Sequence, residues 1–256
     1  MVMKHWFWKI FDAVGPMQGF STGVNNLLSL TLGIKVVRRD AFIITVYWVN
    51  QMLYLQRLFN KINNVPGDIV ECGVGSGLSL TILAFLLSES SVDRHIWGFD
   101  SFEGLPEITV EDMASKNSIY DKHSKGRIAV SEKTTMATLR SISDIKFSAG
   151  GCGVSEDFIN NNITLVKGWF SNTLPKYSGR PIALLHLDPD LYQSYKTAFE
   201  ELWSRMSIGG IVVIDAYDET NLLPGCKKAT DEFFGPLKVQ LHKDIVHNWY
   251  YVIKEG

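Results

Sequence analysis

Cysteine, net charge and long apolar runs are all scarce in this chain of 256 residues. Its three cysteines, Cys72, Cys152 and Cys226, lie far apart and form no C-x-x-C pair. That spacing argues against a zinc site or a disulfide framework and predicts reduced thiols in a cytoplasmic protein. A formal net charge of -2, with scattered basic residues, argues against the basic face that nucleic-acid binding requires. We therefore expect no nucleic-acid partner.

The chain also lacks an uninterrupted apolar stretch of the length that a membrane span needs. Its most apolar segment, residues 41–59, contains Gln51, Gln56 and Arg57, which favours a buried amphipathic helix over a membrane span. The aromatic N-terminus, residues 6–11, leaves two alternatives open. It can associate with a membrane surface, or it can form the subunit contact of a homo-oligomer.

A glycine-rich stretch is the most informative feature that is present. Residues 70–77 read Val-Glu-Cys-Gly-Val-Gly-Ser-Gly and follow a short apolar run. Glycines after a strand let the backbone turn sharply and let a ligand approach closely. Leu78 stands where the dinucleotide pattern G-x-G-x-x-G needs its third glycine, which disfavours NAD. Glu71, two residues before Gly73, fits S-adenosylmethionine better. A glycine-rich turn without a ligand is the alternative.

Apolar strands alternate with helices from residue 66 onward, which is typical of a parallel sheet with helices on both faces. The sequence therefore predicts an α/β fold with a doubly wound, mostly parallel sheet, preceded by N-terminal helices. We expect an N-terminal helical segment over residues 1–65 and the main domain over residues 66–256. The predicted strands are 68–72, 95–100, 163–167, 182–187, 211–214, 237–241 and 249–253, and the predicted helices are 40–63, beginning at Asp40, then 79–88, 194–206 and 226–234.

The segment from residue 105 to residue 162 interrupts this alternation. It is polar, rich in Ser, Lys and Thr, and contains a glycine-rich stretch at residues 150–153. An insertion of this length between strands is usually functional or mobile. We interpret it as a lid over the site, with a surface loop of no special role as the alternative.

Carboxylates follow the predicted strands where a doubly wound sheet binds its ligands. Asp100 ends the second strand and is suited to bind the hydroxyls of a ribose, although a cap or turn role is the alternative. Asp188 and Asp215 end two adjacent strands, so their carboxylates can share one divalent cation.

Five segments together resemble the macrocin O-methyltransferase family of antibiotic-sugar O-methyltransferases, and they occur in family order. The most specific read Asp-Ser-Phe-Glu-Gly-Leu-Pro and Gly-Trp-Phe-Ser-Asn-Thr-Leu-Pro. The resemblance implies a Rossmann-like class I methyltransferase fold. It also implies S-adenosylmethionine-dependent and usually magnesium-dependent methyl transfer to a hydroxyl of a small molecule, commonly a sugar. The five segments are residues 70–74, 98–106, 168–175, 187–194 and 209–217.

The resemblance also implies roles for individual residues. Asp188 corresponds to the family's metal-binding aspartate and the expected base, and Asp215 to the first of a paired Asp-Asp metal motif. Ala216 replaces the second aspartate of that pair, and Pro189 stands where the family commonly has glycine. A metal is then held with help from Asp218 or water, or it is lost. The expected cofactor-binding residues are Glu71, Gly73, Gly75, Gly77, Ser79, Asp100, Ser101, Gly168 and Trp169.

Several alternatives remain open from the sequence. His247 is a second candidate base, whereas His186, within an apolar strand, is expected to be a hydrogen-bonded core residue. Methylation of a catechol or another phenol would suit the same scaffold. Ala216 also leaves open an inactive protein that binds S-adenosylmethionine without turnover.

Overall fold

A computed structural model describes residues 46–141, 154–244, 246 and 249–256. They belong to one unit, Val46–Gly256. The predicted helical segment over residues 1–65 is therefore described only from residue 46 onward. The predicted cap Asp40, the aromatic N-terminus, Cys152 and His247 lie outside the described residues.

The centre of the molecule is a seven-stranded sheet with the strand order β3-β2-β1-β4-β5-β7-β6. Strands β1 to β5 are parallel, and β7 runs antiparallel to both β5 and β6. This confirms the predicted mostly parallel α/β sheet. The strands are β1 (Asp68–Cys72), β2 (Ile96–Asp100), β3 (Ile163–Lys167), β4 (Ile182–Leu187), β5 (Met206–Ile214), β6 (Leu241–Lys243) and β7 (Tyr250–Ile253).

Helices and short turns connect these strands. Two 3-10 turns, Leu174–Lys176 and Trp203–Arg205, extend helices at their ends. The helices are α1 (Val46–Lys61), α2 (Leu78–Ser88), α3 (Glu132–Arg140), α4 (Glu156–Asn162), α5 (Phe170–Thr173), α6 (Tyr192–Leu202) and α7 (Pro224–Leu237). None of the helices in the described ranges combines the length and the apolar character needed to cross a membrane.

The strand order reverses between β1 and β4. From β1 the chain proceeds to β2 and β3 on one side, and it then crosses to β4 and β5 on the other. In open α/β sheets a ligand site lies at such a reversal, beyond the carboxyl ends of the strands. The loops after β1 and β4 therefore bound the expected site.

Both faces of the sheet are buried, because successive strand residues point to opposite sides. Leu185 and Leu187 of β4 pack with α6 and α7 on one face, and Leu184 packs with α1 and α2 on the other. On that second face, α1 contributes Leu55 and Leu58, both almost completely buried. Helix α1 is thus part of the same core as the strands.

Several predicted boundaries are wrong, and the errors around β5 and β6 have a local cause. The helix predicted over 194–206 ends at Leu202, and β5 already begins at Met206, which pairs with Ile182 across a bulge. Gly209 has a φ of 80° inside β5, so the glycine pair lies within the strand and does not end a helix.

The second error concerns the predicted strand 237–241, because α7 continues to Leu237. Lys238, in the left-handed conformation, closes that helix by donating its N–H to the carbonyls of Gly235 and Phe234. Strand β6 therefore begins only at Leu241.

The insertion contains two helices that were not predicted. Ser131 caps α3 by accepting a hydrogen bond from Thr134 N at 3.1 Å, and Ser155 caps α4 by accepting one from Phe158 N at 3.0 Å. Each serine stands three residues before the amide that it caps, which is the usual N-cap geometry. The described parts of the insertion therefore have regular structure.

Candidate functional site

A cavity of about 500 Å³ lies at the carboxyl ends of β1, β2 and β4, beside the reversal of strand order. Helix α1 contributes Gln51 to its wall, and the insertion contributes Pro106 and Ile128. Eight of the residues predicted for the site line this cavity: Gly73, Gly75, Ser79, Asp100, Ser101, Gly168, Trp169 and Asp188.

Asp100 is held in one orientation by two backbone amides. Its Oδ2 accepts a hydrogen bond from Gly75 N at 2.9 Å, and its Oδ1 accepts one from Phe102 N at 2.8 Å. Each oxygen of the carboxylate keeps a further lone pair. Asp100 is thus a fixed acceptor for ligand hydroxyl groups.

The three glycines of the loop after β1 have different neighbours. A Cβ on Gly73 would overlap the carbonyl oxygen of Asp188, so this glycine lets two strand ends approach each other. A Cβ on Gly77 would lie 3.0 Å from Cγ2 of Thr135. Apart from its chain neighbours, no atom of the described residues lies within 4 Å of the corresponding position on Gly75. Gly75 is therefore the glycine that leaves open space on the cavity side, whereas Gly73 and Gly77 serve packing.

Ser101 and Gly168 support the same wall. The Ser101 hydroxyl donates to the Gly104 carbonyl at 2.9 Å and accepts from Glu103 N at 3.1 Å, so it shapes the turn after β2. Gly168 N donates to the Asp100 carbonyl at 2.9 Å. Trp169 follows as the residue before α5 and lines the cavity.

Glu71 lies beneath the cavity floor and is completely buried. Its Oε1 accepts a hydrogen bond from Ser79 and lies 2.9 Å from Nδ1 of His186. Its Oε2 has no hydrogen-bond partner among the described residues. A buried carboxylate oxygen without a partner is costly unless a cation or donor reaches it, so Glu71 suits a positively charged ligand.

His186 is a buried residue of β4, as predicted. Burial disfavours its charged form, but the hydrogen bond that the charged ring donates to Glu71, together with the charges of Glu71 and Asp215, outweighs burial and raises the pKa of His186. This histidine links the end of β1 to the carboxylates after β4 and β5.

Three aspartates cluster beyond β4 and β5. Asp188 and Asp215 directly follow paired strand residues, Leu187 and Ile214. Burial and then the neighbouring charge of Asp215 raise the pKa of Asp188 well above its ordinary value. Asp215 is half-buried, and the loss of contact with solvent also raises its pKa.

Asp190 lines the cavity, and the sequence prediction did not include it. It accepts a hydrogen bond from the Tyr120 hydroxyl at 2.8 Å, and burial raises its pKa to about 6. Its φ of 61° is a strained conformation for a residue other than glycine, a feature that concentrates at functional sites. The signal available in the sequence was its place two residues after Asp188.

Few side chains at the site could serve as metal ligands. No group of three or more His, Cys, Asp or Glu side chains that could hold a metal ion occurs in the part of the chain that the structure describes. Ala216 offers no ligand, and Asp218 accepts hydrogen bonds from Lys243 at 3.3 Å and Tyr250 at 3.1 Å. The predicted help from Asp218 is therefore not observed, and Asp188 and Asp215 remain as a pair.

The first part of the insertion is tied to the body of the domain. Besides the bond from Tyr120 to Asp190, Asp112 accepts a hydrogen bond from Tyr192 N at 2.7 Å, at the first turn of α6. Leu105 and Tyr120 pack with Leu191 in a small buried cluster. This part of the insertion forms a wall of the cavity.

Comparison with known proteins identifies a family and several relatives of this chain. Residues 45–248 match the family described as Macrocin-O-methyltransferase. The demethyldecarbamoylnovobiocin O-methyltransferase of Streptomyces niveus is 31% identical over 172 residues, which is 67% of this chain and 59% of that protein. A tetracenomycin-type 8-demethyl-8-(2,3-dimethoxy-alpha-L-rhamnosyl)-tetracenomycin-C 4'-O-methyltransferase of Streptomyces olivaceus is 32% identical over 174 residues, 68% of this chain and 60% of that protein.

These alignments span about three fifths of the length of the curated relatives. Among solved structures, that of CalS11, a calicheamicin methyltransferase, superposes with a TM-score of 0.68 at 25% identity and covers 93% of each chain. The predicted resemblance and fold class are confirmed by these matches.

Proposed function

The chain belongs to the macrocin O-methyltransferase family, and from this premise we propose that it transfers the methyl group of S-adenosylmethionine to a hydroxyl of a sugar-bearing small molecule. The observation that carries the proposal is the cavity itself. On one side it presents the open Gly75 loop and the fixed Asp100, and on the other the half-buried carboxylates Asp188 and Asp190. A cofactor half and a proton-accepting half thus share one space.

The residues of the first half fit S-adenosylmethionine. Asp100 would accept the ribose hydroxyls, since its oxygens are already oriented by backbone amides. The unpartnered Oε2 of Glu71 favours a positively charged group nearby, and this cofactor carries an ammonium and a sulfonium. Trp169 offers an aromatic face in the wall on the β3 side.

Asp188 is the base that we propose for the acceptor hydroxyl. When bound, S-adenosylmethionine supplies a methyl group on a positively charged sulfur. Asp188 lines the cavity, and its raised pKa makes its carboxylate a better proton acceptor than an exposed aspartate. Asp190, fixed by Tyr120, lies two residues further along the same loop and would orient the same hydroxyl. Alignment of the acceptor oxygen with the methyl group supplies the rest of the rate.

Magnesium assistance is a separate part of the proposal. Asp188 and Asp215 would be the protein ligands, and magnesium is commonly bound by one or two carboxylates with water or substrate oxygens. A bound cation would lower the pKa of the acceptor hydroxyl and relieve the repulsion between the two carboxylates. If full activity persists in EDTA, the metal has no role and Asp188 acts alone.

The acceptor class is tested by a screen of hydroxyl compounds. Purified protein with S-adenosylmethionine would be incubated separately with demethyldecarbamoylnovobiocin, with a nucleotide-linked deoxysugar and with catechol. Methylated products would be detected by mass spectrometry. Turnover of the sugar compounds alone supports the proposal. Turnover of catechol alone replaces it with phenol methylation.

An inactive cofactor-binding protein is the second candidate, and Ala216 is the observation that favours it. Calorimetry with S-adenosylhomocysteine and with NAD separates the possibilities, since the cavity predicts heat from the first compound and none from the second. Binding of S-adenosylhomocysteine without turnover of any acceptor in the screen would favour the inactive protein. Absence of binding would refute the cofactor assignment itself.

A further inference from the structure

Thr135 connects the insertion to the glycine loop after β1. It lies in the second turn of α3 and is completely buried. Its hydroxyl donates a hydrogen bond to the carbonyl oxygen of Gly75 at 2.6 Å, across 60 residues of sequence. The same hydroxyl lies 3.4 Å from the carbonyl of Ser131, one turn earlier in the helix. The shorter bond, to the glycine loop, is therefore its principal contact.

Gly75 is held at both of its peptide groups. Its carbonyl accepts from Thr135, and its N–H donates to Oδ2 of Asp100 at 2.9 Å. Its φ of 50° lies in the left-handed region, and a glycine without such contacts samples many conformations. Loss of the Thr135 bond would free the Gly75 peptide and, through it, one of the two amides that orient the Asp100 carboxylate.

The methyl group of Thr135 has a contact of its own. A Cβ on Gly77 would lie 3.0 Å from that methyl and 3.1 Å from the Thr135 carbonyl oxygen, so α3 packs directly on the glycine. Threonine thus uses its hydroxyl for Gly75 and its methyl for Gly77. Because the two contacts are made by different atoms, separate substitutions can remove one at a time.

We infer that Thr135 is a positioning residue for the cofactor, acting through Gly75 on Asp100. The inference rests on the proposed function and deepens it, since it places α3 of the insertion in the cofactor-binding apparatus. Thr135 does not line the cavity, so its effect on a ligand must pass through the loop.

Calorimetry with S-adenosylhomocysteine as the probe tests this role without any acceptor. Thr135→Val keeps the shape and removes the hydroxyl, and it should weaken binding about three- to tenfold, as expected for one net hydrogen bond. Thr135→Ser keeps the hydroxyl and should stay within about twofold of the wild type. The matched control is Thr138→Val in the same helix, because among the described residues the Thr138 hydroxyl bonds to the Thr134 carbonyl alone, at 3.2 Å. It should bind like the wild type.

A double-mutant cycle with Asp100→Asn identifies the route of the effect. If Thr135 acts through Asp100, Thr135→Val should cost much less affinity in the Asp100→Asn background than alone. With an active acceptor, the KM for S-adenosylmethionine should rise in Thr135→Val while kcat at saturation stays within about twofold, a split that general destabilisation would not produce.

Three results would overturn the inference. They are wild-type affinity in Thr135→Val, an equal loss in Thr138→Val, or full additivity with Asp100→Asn. Melting curves check the fold, and if Thr135→Val fails to fold, Thr135→Ala against Thr135→Ser provides the same hydroxyl comparison. If the wild-type protein binds no S-adenosylhomocysteine, the proposed function itself is refuted. If the wild type binds S-adenosylhomocysteine and Thr135→Val binds it equally well, only the role of Thr135 is refuted.

Discussion

At the scale of single residues, two aspartates of the site have different roles because their neighbouring groups differ. Asp100 is fixed by two backbone amides, whereas half-buried Asp188 lies near another carboxylate. Asp100 is therefore oriented to accept hydrogen bonds from hydroxyl groups, and the raised pKa of Asp188 favours a group that takes up a proton.

Asp100→Ala should weaken S-adenosylmethionine binding by about 1.5–3 kcal/mol, the range for a hydrogen bond to a charged group. Asp100→Asn keeps one acceptor oxygen and should lose less. Isothermal titration measures both, with circular dichroism to confirm the fold. Unchanged affinity in the alanine variant would remove Asp100 from the ribose site.

Asp188→Asn should lower kcat at least about 100-fold, the lower range for loss of a general base, and leave the affinity for S-adenosylhomocysteine within about twofold. Asp93→Asn is the control, since Asp93 is an exposed partner of Arg180 and does not line the cavity. Turnover with an active acceptor and calorimetry give the two readouts. Retained activity in Asp188→Asn would show that another residue is the base, and Asp190 would then be the next candidate.

At the scale of elements, α1 is attached to the sheet by a buried arginine. Arg94, almost completely buried, donates to the carbonyls of Ile62 at 2.6 Å, Val65 at 2.7 Å and Gly67 at 2.5 Å. The last carbonyls after a helix have no partner within it, so Arg94 supplies the missing donors between α1 and β1.

Arg94→Met should lower the free energy of unfolding by about 2–4 kcal/mol, because the carbonyls of Ile62, Val65 and Gly67 lose the charged donor that they share. Arg205→Met is a matched control. Arg205 also donates to two backbone carbonyls, of Tyr177 at 2.7 Å and Pro175 at 3.3 Å, but it is half-exposed. It should cost about 1 kcal/mol or less. Urea unfolding measures both, and equal losses would contradict the proposed role of Arg94.

At the scale of the whole molecule, the insertion joins the two halves of the cavity. Tyr120 contacts Asp190 on the acceptor side, and Thr135 contacts Gly75 on the cofactor side. A ligand that orders the glycine loop should therefore also stabilise the insertion, since the two share hydrogen bonds.

Limited proteolysis tests this coupling. Cleavage within residues 105–162 should slow when S-adenosylhomocysteine is present, because local opening of the insertion then breaks contacts with an occupied loop. NAD at the same concentration should give no protection. The same cleavage rate in both conditions would leave the insertion as a wall without coupling to the cofactor.

Most of the sheet, and the residues at the ends of several of its strands, could be predicted from the sequence alone. Strands β1, β3 and β4 begin and end where they were predicted, because their apolar runs are bounded by polar or turn-forming residues. The glycine loop and Asp100 could likewise be predicted, since each directly follows or ends an apolar strand in the sequence.

Only the tertiary structure decided which residues meet across the site. Thr135 reaches Gly75 over 60 residues, and Tyr120 reaches Asp190 over 70. Neither pair leaves a periodic or local signal, because side-chain contacts of this range depend on how the insertion packs against the sheet. The same holds for Gly77, whose neighbour is a helix of the insertion. Sequence patterns record local backbone preferences, whereas the partners of a buried polar group are fixed by the fold.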